Sequence, residues 1–165
     1  MPERPSELWK RMAPETRQLA AAAFWSDTES PEIAAQHAEA VVTLARRLNF
    51  RTKSVQALSV ERRAKLLAQL GEVSDAIATR ALIALHFADR RPLMAAFLDA
   101  LGIAHDDGLI TDEGLTPQVP ERLRSAYEAV RLAHPAPDVD LYLRTLAALD
   151  GDTWGKLDEI VEAVR

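Results

Sequence analysis

The sequence predicts an all-α fold, a compact multi-helix bundle or a set of stacked helical hairpins, with about eight or nine helices and no sheet. Three observations predict it. Apolar residues recur every three to four positions, and prolines stand where the candidate helices begin. No segment shows the alternation of apolar and polar residues with a period of two that a half-buried strand requires.

The helices of the first half are predicted from their prolines and caps. Pro5 and Pro14 open helices over residues 5–12 and 14–25, because a proline at the first helical position loses no hydrogen bond. The run Ser30-Pro31-Glu32 is predicted to cap a third helix that extends to about residue 48. Apolar spacing predicts two more helices, over residues 60–70 and 73–88.

The second half is divided by prolines and by one glycine. A helix is predicted to start between Asp89 and Pro92 and to end at Gly102, which can adopt the left-handed conformation of a C-terminal cap. Pro117 and Pro120 open another helix, which reaches about residue 134. Two further apolar stripes predict helices over residues 138–149 and 154–164.

Length and composition indicate one ordinary helical domain over residues 1–165. A chain of 165 residues is long enough to bury about 70% of the surface that its unfolded form exposes. It has no cysteine, so disulfides, thiolate metal sites and a cysteine nucleophile are excluded. The charged, proline-containing first residues and the lack of a long apolar run predict neither a signal peptide nor a membrane span. A cytoplasmic location is therefore expected.

Charge is distributed unevenly along the chain. The net charge is −5, yet the middle third, residues 44–91, carries a surplus of six positive charges, so the flanks sum to −11. Such a segment either faces solvent and the acidic C-terminal third, or forms a patch for phosphate or an acidic partner. The ten cations of the middle third are Arg46, Arg47, Arg51, Lys53, Arg62, Arg63, Lys65, Arg80, Arg90 and Arg91, against the acids Glu61, Glu72, Asp75 and Asp89.

Three polar residues fall inside apolar arcs when the helices are drawn as wheels. Arg63 is one of them, and it is interpreted as mainly structural because its long stem can carry the charge to water. His37 lies among apolar residues of the third helix, either as a half-buried histidine bonded to a backbone carbonyl or as a ligand residue facing a cavity. Arg80 lies on the apolar face of its helix, and a guanidinium taken out of water needs an anionic or carbonyl partner. That partner is either a carboxylate of this chain or the carboxylate or phosphate of a ligand.

The densest run of chemically capable groups follows Arg80. His86 and Arg90 are four residues apart on one helix and share a face, so one small anion could contact both, with Arg91 nearby. The segment His105-Asp106-Asp107, between two glycines, predicts a polar loop beside a helix end. The candidate ligand-binding residues are His37, Arg80, His86, Arg90, Arg91, His105, Asp106 and Asp107.

No P-loop, dinucleotide fingerprint, nucleophile elbow or EF-hand occurs, and the sequence predicts no cofactor and no metal. The leading hypothesis is a helical module that binds a protein partner or a small anionic ligand in a groove between helices. A metal-dependent hydrolase using His86, His105, Asp106 and Asp107 is one alternative. Nucleic-acid binding through the basic middle third is another, against which the overall acidity counts. Whether the chain is an enzyme, and its oligomeric state, stay open at the level of sequence.

Overall fold

The fold was examined in a computed structural model that describes residues 1–29 and 31–164. The all-α prediction is confirmed, with eleven helices in the described residues. Nine of them match predicted segments, and the two shortest, α4 and α10, were not predicted. The helices are α1 (Pro5–Arg11), α2 (Pro14–Ser26), α3 (Ile33–Leu48), α4 (Thr52–Gln56), α5 (Val60–Gln69), α6 (Asp75–Asp89), α7 (Arg91–Leu101), α8 (Pro120–Ala133), α9 (Ala136–Leu149), α10 (Gly151–Trp154) and α11 (Lys156–Glu162).

Contacts between residues divide the chain into two compact units. The N-terminal unit is Pro5–Leu85, and the C-terminal unit combines Met1–Arg4 with His86–Arg165, so the division falls within α6. The single domain over residues 1–165 that the sequence suggests stays a prediction.

In the N-terminal unit, α2 packs against α5, and α3 packs against α4 and α5. The Nε1–H of Trp9 on α1 donates a hydrogen bond of 2.8 Å to the carbonyl oxygen of Leu70, which ties α1 to the end of α5. Ser59 caps α5 by accepting from the backbone N–H of Arg62. Asn49 ends α3 in the left-handed conformation, with φ of 54°.

The predicted start of α3 needs a correction. The helix begins at Ile33, and Glu32 is its N-cap residue without a side-chain capping bond. Ser30, which the sequence analysis proposed as part of the cap, lies outside the described residues.

In the C-terminal unit, α7, α8, α9 and α11 surround one apolar core. Pro120 opens α8 as predicted, and Gly102 ends α7 with φ of 68°. The predicted last helix, over residues 154–164, corresponds to α11, which begins at Lys156 after Gly155, and the unpredicted α10 precedes it. The largest buried core side chains of this unit include Phe97, Leu98, Leu101, Leu123, Tyr127, Leu143, Trp154 and Leu157.

The prediction of no sheet was wrong in one place, where two very short strands form a hairpin. Strand β1 (His105–Asp106) pairs antiparallel with β2 (Leu109–Ile110). Asp107 and Gly108 between them have φ of 48° and 92°, and two positive φ values are typical of a type I′ hairpin turn. The Asp-Gly pair is the sequence signal for this turn, and the flanking strands are too short to show alternation.

In the described part of the chain, no helix combines the length and the apolar character needed to span a membrane.

Candidate functional site

His37 is half-buried and bonded to the backbone. Its Nε2 lies 2.7 Å from the carbonyl oxygen of Phe24, which can only accept, so Nε2 carries the hydrogen and donates. The ring also packs against the rings of Phe24 and Trp25, with centroid distances of 4.8 and 5.1 Å. Of the two roles that the sequence allowed, this geometry matches a histidine that links α3 to the end of α2.

Arg80 has a carboxylate partner within the chain, one of the two kinds of partner that its position on the helical wheel predicted. Its Nη2 lies 3.2 Å from Oε2 of Glu32, and both residues belong to the N-terminal unit. The Arg80 side chain keeps 20% of its exposure, and that of Glu32 keeps 77%. Arg80 is therefore less buried than the wheel suggests, and its charge is met by a carboxylate of the chain at the edge of solvent.

His86 is buried, with 2% of its surface exposed, so its ring lines no open surface. Thr145 Oγ1 donates its own hydrogen to the carbonyl oxygen of Leu141 at 2.7 Å and lies 2.9 Å from His86 Nε2. Nε2 must then donate to Thr145, which leaves Nδ1 unprotonated, buried and without a partner among the described residues.

This environment keeps His86 neutral. Burial, and secondarily the positive charge of Arg90, lower the pKa of His86 from 6.5 to about 3. A neutral, buried imidazole does not attract an anion. His86 is therefore not part of the anion site that the sequence predicted for His86 and Arg90. The prediction failed because α6 is buried on more sides than its apolar stripe indicates.

Arg90 is held between two aspartates. Its Nη1 lies 2.6 Å from Oδ2 of Asp89, and its Nη2 lies 3.2 Å from Oδ1 of Asp138 on α9. These residues, with His134, line a small cavity of about 110 Å³ in the C-terminal unit. Two carboxylates facing one guanidinium leave an excess of negative charge, which makes the cavity a poor anion site.

Arg91 and His105 hold the hairpin in place. Arg91 donates from Nε to the carbonyl oxygen of Phe87 at 3.0 Å and from Nη1 to the carbonyl oxygen of Asp107 at 3.1 Å. His105 Nδ1 accepts from the N–H of Gly108 at 3.0 Å, and its Nε2 donates to Oδ1 of Asp99 at 2.7 Å. Both ring nitrogens of His105 are thus engaged inside the chain.

The residues of the proposed hydrolase do not form a ligand set. His86 is bonded to Thr145 inside the unit, His105 is bonded to Asp99 and Gly108, and Asp106 is exposed on β1. Within residues 1–29 and 31–164, no three His, Cys, Asp or Glu side chains are placed to hold one metal ion.

Sequence reasoning missed the most strongly paired arginine. Arg144 keeps 6% side-chain exposure and contacts Asp158 at 2.7 Å, Glu162 at 2.6 Å and Glu3 at 3.4 Å. Burial by itself lowers the pKa of Arg144, but the hydrogen bond to Glu162 and the three negative charges raise it above its usual value. In the sequence, the position of Arg144 among the apolar residues of α9 was the signal that could have indicated its burial. Its role is to connect the first residues to α9 and α11.

A run of exposed cations lies in the N-terminal unit, between the end of α3 and the start of α5. We call Arg46, Arg47, Arg51, Lys53 and Arg62 the basic surface; they occupy the end of α3, the following loop, α4 and the start of α5. All five are exposed, and none has an ion-pair partner in the part of the chain that the structure describes. Residues 41–71 contain seven Lys or Arg and one acid, Glu61, which pairs with Lys65.

The two units differ in formal charge. The N-terminal unit has eleven Lys or Arg and nine Asp or Glu, a net charge of +2. The C-terminal unit has nine and sixteen, a net charge of −7. The basic surface is thus a local concentration of positive charge in an acidic protein.

No family model, curated protein or solved structure matches this chain.

Proposed function

We propose that the chain is a non-catalytic helical module that binds an anionic partner through its basic surface. One observation carries the proposal. Five exposed cations on consecutive elements have no ion-pair partner among the described residues, in a chain with more acids than bases.

Several other cations of the chain are paired. Arg80 meets Glu32, Arg90 meets two aspartates, and Arg144 meets three carboxylates. Like charges within about 8 Å of one another repel at physiological salt, so an unpaired cluster opposes folding slightly. An anionic partner would turn this repulsion into attraction and would also be steered to the surface as it approaches.

The dipole of α3 explains the positions of two of the five cations of the basic surface. Arg46 and Arg47 lie in its last turn, where a cation stabilises the helix by about 0.3–1 kcal/mol. Lys53 lies in the last turn of the five-residue α4, but the explanation does not extend to Arg51, which precedes α4, or to Arg62 in the first turn of α5. At the start of a helix a cation is unfavourable, which makes Arg62 in particular an argument for an external partner.

The candidate ligand residues around His86 and His105 are less suited to binding an anion than the basic surface is. His86 Nε2, His105 Nε2 and the guanidinium groups of Arg90 and Arg91 already contact groups of the chain, so an anion would compete with existing bonds. Asp106 and Asp107 would repel it. The basic surface requires no such displacement, since its donors face solvent.

The test measures binding of a fluorescent oligoglutamate of about ten residues by anisotropy at two salt concentrations. Wild type should bind, and binding should weaken as salt rises. Arg46→Ser/Arg51→Ser should weaken binding about fivefold, since each exposed charge pair is worth about 0.2–1 kcal/mol.

Lys10→Ser/Arg124→Ser is the matched control. It removes the same charge at two exposed positions outside the basic surface and should bind within about twofold of wild type. If both double variants lose the same affinity for the peptide, net charge alone attracts it, and the basic surface is not a specific binding site. Absence of binding by wild type would refute the function.

A further inference from the structure

We infer that the partner of the basic surface is an acidic polypeptide segment that also carries apolar side chains, which pack beside the arginines. This inference rests on the proposed function and names the class of partner. It depends on where the exposed apolar residues of the N-terminal unit lie.

Exposed apolar side chains coincide with the exposed cations. Of the four large apolar residues that are exposed in the described part of Pro5–Leu85, three lie in residues 41–71, and Leu19 is the fourth. Phe50 keeps 49% exposure, Val42 40% and Val60 39%. Single exposed apolar residues are ordinary on a protein surface, but their concentration among unpaired cations is a second property of the same segment.

Two of these apolar residues lie next to an arginine of the basic surface. Val42 is one turn before Arg46 on the same face of α3, because residues four apart on a helix are neighbours. Phe50 precedes Arg51 directly, whereas Val60, two residues before Arg62, lies on a different face of α5. Exposed cationic and apolar residues therefore alternate along the sequence from the end of α3 to the start of α5.

An acidic peptide with apolar residues matches this alternation. Its carboxylates can accept two parallel hydrogen bonds from each guanidinium, a geometry that arginine offers and lysine does not, and four of the five cations are arginines. Its apolar side chains can cover Val42, Phe50 and Val60, which releases water from both partners.

A nucleic acid matches the surface less well. Bases bind to proteins by stacking on aromatic rings, and two of the three exposed apolar residues are valines. A long polyanion would also carry more negative charges than the five cations of the basic surface can meet. A short acidic segment can match the size of the basic surface.

The experiment compares two peptides of equal length and equal negative charge, one with glutamate and serine, the other with leucine in place of the serines. Binding of both to the full chain is measured by anisotropy. Wild type should bind the leucine peptide about tenfold more tightly, the effect of covering part of Phe50 and one valine. A single-stranded oligonucleotide of equal charge should bind no more tightly than the serine peptide.

Phe50→Ser separates the apolar contribution from the charge. It should reduce the preference for leucine to about threefold or less while leaving the affinity for the serine peptide unchanged. Because Phe50 is half exposed, the variant should fold, and circular dichroism checks this. Leu19→Ser, which removes an exposed apolar residue outside the segment, should keep the full preference.

The outcomes separate the two proposals. Equal affinity for the two peptides, an unchanged preference in Phe50→Ser, or tighter binding of the oligonucleotide would overturn the inference and leave an anion-binding surface in place. If wild type binds neither peptide nor oligonucleotide, the proposed function fails and the inference fails with it.

Discussion

His86→Gln tests whether a buried neutral imidazole makes the stability of this fold depend on pH. Glutamine cannot titrate, and its side-chain amide can donate to Thr145 Oγ1 as Nε2 of the ring does. The variant loses the ring contact with Tyr142, where the centroids are 5.4 Å apart, so its free energy of unfolding at pH 7 should fall. The informative quantity is the change in that free energy with pH.

The size of the effect follows from the two pKa values. In the unfolded chain His86 takes up a proton as the pH falls below 6.5, whereas in the folded chain it does so only near pH 3. Between these values the unfolded state binds more protons, so acid shifts the equilibrium toward unfolding. From pH 7 to pH 5 the histidine should remove about 2 kcal/mol of stability, at about 1.4 kcal/mol per pH unit below 6.5.

Urea unfolding of wild type and variant at pH 7 and pH 5 measures this difference. The titration of carboxylates changes the stability of both proteins equally. Between pH 7 and pH 5 the unfolding free energy of wild type should therefore fall by about 2 kcal/mol more than that of His86→Gln. His134→Gln, at the half-buried histidine that ends α8, controls for the loss of a histidine as such. If wild type and His86→Gln lose equal stability between the two pH values, His86 is not held neutral by burial and the reasoning is refuted.

Two further predictions concern stability. Arg144→Met should lower the unfolding free energy in urea by about 3–5 kcal/mol, because it leaves the partly buried carboxylate of Asp158 without the guanidinium that it contacts at 2.7 Å. Glu162→Gln should cost less than about 1 kcal/mol, since the Glu162 side chain is 61% exposed, and equal losses would contradict the assigned burial. Gly108→Ala should lower the melting temperature by the equivalent of about 1–3 kcal/mol, because φ is 92° and the new Cβ would lie 2.8 Å from Cβ of Met94. An unchanged melting temperature would show that the hairpin tolerates a side chain there.

Local signals in the chain were sufficient for most helices. A proline at the first helical position and a left-handed glycine act within one turn of the residue concerned, so Pro14, Pro120 and Gly102 have the same effect in almost any fold. The helices α4 and α10 were missed, because segments of four or five residues carry too few positions to show a period.

The sequence by itself determined the all-α class, the order of the main helices and the excess of positive charge in the middle of the chain. These properties depend on the identity and spacing of neighbouring residues. Only the tertiary structure decided which polar groups face solvent, since that depends on residues far apart in sequence. The bond between His86 and Thr145 spans 59 positions and that between Arg80 and Glu32 spans 48, and each places a group suspected of ligand binding inside the protein's own interactions. The arginines around Phe50 stayed accessible because the described chain brings no carboxylate to them.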